Sequence, residues 1–223
     1  IICPKITDAL EQLYKVTNHI IEIDKERLRC DVPLSGNHYY IKICVQYHNG
    51  LVTLANFVLI NYQGGLQSQI DSVLFPLRLD MIREQAKSIY ESQNFLATYN
   101  KLYKFSSSHE LTHFFISQLE ALTILFPEIG TFGNHRHSYA LKKLAREIFL
   151  ECDIHNISLE DVLNEFSTIK IELLKQYKEY SRNINKALKK VKKSRDTMGA
   201  DYAYQTLGIP YKLYKNQIDP TYK

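Results

Sequence analysis

His109-Glu110-Leu111-Thr112-His113 constrains this chain more than any other five residues. On a helix, side chains four apart lie on the same face as close neighbours. His109 and His113 therefore present two imidazoles to one point if this segment is helical. The surroundings predict that helix over about residues 107–125. Ser106, Ser107 and Ser108 are candidate N-caps. Leu111, Phe114, Phe115, Leu119, Leu122 and Leu125 recur at helical spacing, and Pro127 is expected to end the run. Glu110 stands one residue after the first histidine, where a carboxylate can reach a water held by an ion on the imidazoles.

The segments on either side predict an α+β, mostly helical chain. Residues 7–29 read as a helix with Leu10, Leu13, Tyr14, Val16 and Ile20 on its apolar side. Residues 39–46 alternate, with Tyr39, Ile41, Ile43 and Val45 on one face. His48-Asn49-Gly50 supplies hairpin turn chemistry, and 51–62 continue as a second, more apolar strand. Gly64-Gly65 breaks that strand. Residues 66–102 read as one or two helices interrupted at Pro76, and 138–152 as another. Ser158, with Asp161 three residues on, opens a helix running to about 194. A Tyr-rich tail follows from Thr197. The expected organisation is one domain, 1–223, with a helical C-terminal part from about 158.

Composition bounds the partners. A chain of 223 residues with 45% apolar content can bury a core. A net charge of +4 is too mild to imply a nucleic-acid or membrane partner, and no apolar run is long enough to span a bilayer. Cys3, Cys30, Cys44 and Cys152 include no Cys-x-x-Cys pair, which argues against a cysteine-rich zinc knuckle. Two disulfides and four free thiols both remain open, and the compartment with them. Any targeting signal ahead of Ile1 is outside these residues.

The His-Glu-x-x-His spacing resembles that of the zincin metallopeptidases, over the motif helix and its surroundings. The resemblance implies a minimal zincin-like domain, in which the 39–62 hairpin is the small antiparallel sheet and 107–125 the active-site helix. It implies zinc as cofactor, His109 and His113 as ligands, Glu110 as general base and a protein as substrate. One strand of the hairpin becomes the candidate sheet edge for pairing with an extended peptide. Small zincins of this size include secreted bacterial toxins and injected effectors, an analogy of size and motif.

Three sources of a third ligand are open. Glu147, in the following helix, matches the gluzincin arrangement. Glu151 lies four residues on, where a carboxylate can hold a ligating histidine from behind. Asp201, in Gly199-Ala200-Asp201-Tyr202-Ala203-Tyr204, resembles the aspzincin (deuterolysin) signature, which gives Tyr204 the task of polarising the carbonyl. That segment departs from the signature by one missing residue, by Gln205 in place of the last glycine, and by its distance from the helix. His135 and His137 are the third source. Candidate oxyanion or substrate contacts are Tyr204, Tyr202, Tyr139 and His137.

A second class of function competes. Residues 187–195 carry five lysines and arginines at a helix end, which suits the helix dipole and a solvated face. The same run supports a non-enzymatic helical module that binds nucleic acid or an acidic protein.

Overall fold

The structure is a computed structural model, and it describes residues 1–31, 36–60, 69–193 and 199–222. The expected Gly64-Gly65 break, the start of the 66–102 helix, and Ser194, Arg195 and Met198 lie outside those residues. The fold is α+β and mostly helical. Two compact units divide the chain, Ile1–Asn94 and Phe95–Lys223.

The first unit holds β1 (Ile2–Pro4), α1 (Thr7–Tyr14), β2 (Ile21–Ile23), β3 (Tyr39–Tyr47), β4 (Gly50–Ile60), β5 (Gln69–Leu74) and α2 (Pro76–Arg83). The five strands form one sheet in the order β2-β1-β3-β4-β5. The expected hairpin is β3–β4, and its turn places His48 at φ +49°. Its alternation is clear at Tyr39 and Ile41, then blurs at an irregularity between Ile43 and Cys44, where the register shifts by one. Cys3, Ile6, Ala9, Tyr39, Ile41 and Leu59 form the core of this unit.

Three expectations are corrected here. The 7–29 helix is only two turns long. Its chain leaves the helix after Tyr14, Val16 is 76% exposed, and Ile21–Ile23 pair in parallel with β1 instead. Pairing with a distant strand outweighs local periodicity there. Helix was also expected where β5 lies. Every residue of β5 is exposed, so it has no hydrophobic pattern to reveal it. Finally, neither hairpin strand is a sheet edge: β1 covers one side of β3, and β5 covers one side of β4. The edges are β2 and β5.

The second unit is helical, with α3 (Gln93–Ser106) entering it at the boundary. It contains α4 (His109–Ile129), α5 (Arg136–His155), α6 (Leu159–Val162), α7 (Ser167–Lys193), α8 (Ala200–Leu207) and α9 (Tyr211–Gln217). The motif helix α4 packs on α5 and α7. Phe115, Leu119 and Leu122 of α4 are buried against a core that includes Phe149 and Leu173. Pro127 does not end α4. The helix absorbs it in its last turn and stops at Gly130, whose φ of +77° closes the C-terminus with its N–H on the Phe126 carbonyl. Ser158 caps as expected, its Oγ accepting from Asp161 N at 3.3 Å. The long helix after it is broken, however, by a 3₁₀ turn at Leu163–Glu165 that buries Leu163 before α7 begins. The Tyr-rich tail is two short helices. All four cysteines are free thiols. Among the described residues no helix is long and apolar enough to cross a membrane.

Candidate metal centre

A sharp break between α3 and α4 positions the motif. Ser107 takes a left-handed φ of +51°, a strained conformation for a serine. Its N–H closes α3 on the Tyr103 carbonyl at 2.8 Å. Ser108 is extended and caps α4, its Oγ accepting from Leu111 N at 3.3 Å. Thr112, fully buried, donates from Oγ1 to the Ser108 carbonyl at 2.8 Å. Ser106 Oγ then donates to Thr112 Oγ1 at 2.6 Å. These short polar side chains fix the corner that turns α3 back on α4.

The consequence is an aromatic wall beside the histidines. Tyr99 is 6% exposed, and its hydroxyl hydrogen-bonds His109 Nδ1. The Tyr99 ring lies 6.1 Å from the His109 ring and 5.6 Å from the His113 ring, centroid to centroid. Tyr103, one turn further along α3, lies 4.9 Å from His109. His109 and Glu110 are exposed in the first turn of α4, and His113 is half-buried. The carboxylate of Glu110 stands where the positive end of the helix dipole favours it.

Glu110 opens on a cleft of about 330 Å³ lined also by Ser108, Phe114, Glu151, His155 and Lys212. Glu151 pairs with Lys212 at 2.8 Å and with His155 at 3.5 Å. Thus α5 brings Glu151 to the cleft of Glu110. Glu147 lines another cleft, of about 630 Å³, together with Tyr139 and Tyr204. Asp201 is exposed and accepts a hydrogen bond from the Tyr211 hydroxyl at 2.9 Å, while Tyr204 stacks on Tyr211 at 4.5 Å. His135 is the N-cap residue of α5 without a side-chain cap bond, and His137 is exposed in its first turn. Tyr202 is 45% exposed on α8.

The donor chemistry of the motif fits zinc. With its proton on Nδ1, His109 donates to the Tyr99 hydroxyl and keeps the Nε2 lone pair for a metal, the second contact that orients a ligating imidazole. Among the described residues, no group of three or more His, Cys, Asp or Glu side chains is placed to hold a metal ion. Tyr99 is the motif's buried neighbour that the sequence reading did not single out. Its signal was the Tyr99/Tyr103 pair at helical spacing just ahead of a serine-rich break. No known protein family matches the chain, and no curated protein is significantly similar to it.

Proposed function

We propose that this protein is a zinc-dependent endopeptidase, with His109 and His113 as metal ligands and Glu110 as general base. The observation that carries the reading is the capped helix start, where both imidazoles and the carboxylate occupy the first two turns of α4 and the Tyr99 hydroxyl holds His109. When bound, zinc supplies a water acidified to near neutrality and an electrophile for the scissile carbonyl. Glu110 accepts the water's proton on its carboxylate and delivers it to the leaving amine. Tyr99 and the Ser106–Ser108–Thr112 corner keep the His109 ring from rotating.

In this reading the third ligand is an oxygen donor from α5, although neither α5 carboxylate is grouped with His109 and His113 among the described residues. Glu147 fills that position on the gluzincin resemblance, whereas the cleft shared with Glu110 favours Glu151. Glu147→Gln and Glu151→Gln separate them by which one weakens zinc binding. The reaction is tested by Glu110→Gln in a peptide-cleavage assay. We expect loss of turnover by about 10²–10⁴-fold with metal content retained. Undiminished proteolysis would end the assignment.

A second reading rests on α7. Nine lysines and arginines against two glutamates give that helix a net charge of +7. Lys175, Lys178, Arg182, Lys186, Lys190 and Lys193 recur at helical spacing and are exposed. A metal-independent module that binds a polyanion would use that stripe. Salt-sensitive nucleic-acid binding unaffected by chelator would favour it.

A further inference from the structure

The larger cleft, bounded by α5, α7, α8 and the turn at Gly208, has a charge pattern that the peptidase reading does not use. Lys142, Lys143 and Arg146 all line it from α5. Arg146 follows the two lysines by four and three residues, so three cations crowd one helix face at a repulsive spacing. Lys142 is partly engaged, donating to Asn134 Oδ1 at 2.9 Å. Lys143 and Arg146 have no ion pair among the described residues. The carboxylates nearby are Glu147 in the cleft and Glu179 in a small adjoining cavity.

Tyr180 gives an independent sign of an absent partner. It is 8% exposed on α7, its ring packs 5.5 Å from Phe149, and its buried hydroxyl has no hydrogen-bond partner among the described residues. Burial, and then the negative charge of Asp153, pushes its ionisation upward, while the positive charge of Arg146 opposes the rise. The hydroxyl thus stays protonated, a donor without an acceptor, within electrostatic reach of Arg146. Arg146, Tyr180 and Asn183 line both the cleft and the adjoining cavity of about 20 Å³, which has room for a single oxygen atom. Tyr139 and Tyr204 flank the open part of the cleft with exposed rings, 53% and 51%.

We propose that this cleft binds a nucleoside phosphate, with a phosphate oxygen on Arg146 and Tyr180, further phosphate charge on Lys142 and Lys143, and the base against Tyr139 or Tyr204. A volume of about 630 Å³ suits a ligand of that size. The inference does not rest on zinc, and its test runs in the presence of EDTA.

Isothermal titration of the full chain with ATP, AMP, inorganic phosphate and a 5′-phosphorylated oligonucleotide tests it. We expect saturable ATP binding, tighter than inorganic phosphate and tighter than the oligonucleotide. Tyr180→Phe keeps the ring and removes the donor, and should weaken ATP about 3–10-fold. Arg146→Gln should weaken it about tenfold or more. Lys143→Gln, also an exposed position, serves as a second charge variant, expected to weaken ATP less. Absence of saturable ATP binding overturns the proposal. So does ATP affinity unchanged in Tyr180→Phe and Lys143→Gln. Inorganic phosphate or the oligonucleotide binding as tightly as ATP overturns the nucleotide assignment.

Discussion

Tyr99 decides how His109 can behave. Its hydroxyl occupies one ring nitrogen, and its ring limits the rotation of both motif imidazoles. If His109 is a metal ligand, this contact sets its tautomer and orientation. Tyr99→Phe preserves the ring packing and deletes the hydroxyl. It should lower zinc affinity about 10–100-fold with an unchanged circular-dichroism spectrum, measured by competition with a chromogenic chelator. Unchanged affinity would show that Tyr99 only packs. The residues of the motif were legible in the sequence because a fixed spacing carries them. Tyr99 was not, since a tyrosine on an amphipathic helix carries no mark of what it faces. The same limit applied to the α5 carboxylates. Glu147 and Glu151 share helical spacing, and only the packing of α5 sends them to different clefts.

The α3–α4 corner does this work for a whole element. Four consecutive polar positions, Ser106 to His109, end one helix, turn the chain through a left-handed serine and start the next. Ser108→Ala removes the cap and should cost about 1 kcal/mol. Thermal melting should register this as a midpoint lower by roughly 2–4 °C for a chain of this size. The serine cluster made this helix start readable. Other element boundaries were hidden for physical reasons. In α4, Pro127 falls in the last turn, where it forgoes one N–H bond to the carbonyl four residues back, yet the helix runs on until Gly130 supplies the stop. In the first unit, β2 exists through its parallel pairing with β1, and β5 through pairing with β4. Neither pairing leaves a local signal in three or six exposed and half-exposed residues. The β3–β4 hairpin was legible because its turn and alternation are both local, but its central place in the sheet was not.

Across the whole molecule, the second unit rests on the packing of α5 and α7 behind the motif helix. Asp153 lies at that packing, where it accepts from the Tyr177 hydroxyl at 2.6 Å. Burial raises its carboxyl above the ordinary value of 3.8, with the Tyr177 bond pulling the other way. A raised value means that folding favours the protonated acid. The stability this group contributes is therefore complete below the unfolded value and is lost as pH rises through the folded one. Asp153→Asn keeps an acceptor for Tyr177 and abolishes that loss. Its stability relative to the parent should rise in denaturant titrations as pH climbs above the ordinary carboxyl value, and a constant difference would refute this account of Asp153. The nucleotide cleft lies against the same two helices, so ligand should also raise the melting point of this unit.

The peptidase reading stands on a metal held by the first two turns of α4. Metal content of the purified full chain, by mass spectrometry, tests it most directly, beside His109→Ala and His113→Ala. One equivalent of zinc per chain is expected, lost in both variants while helical content persists. A chain that takes up no zinc, or keeps it when either histidine is removed, would contradict it.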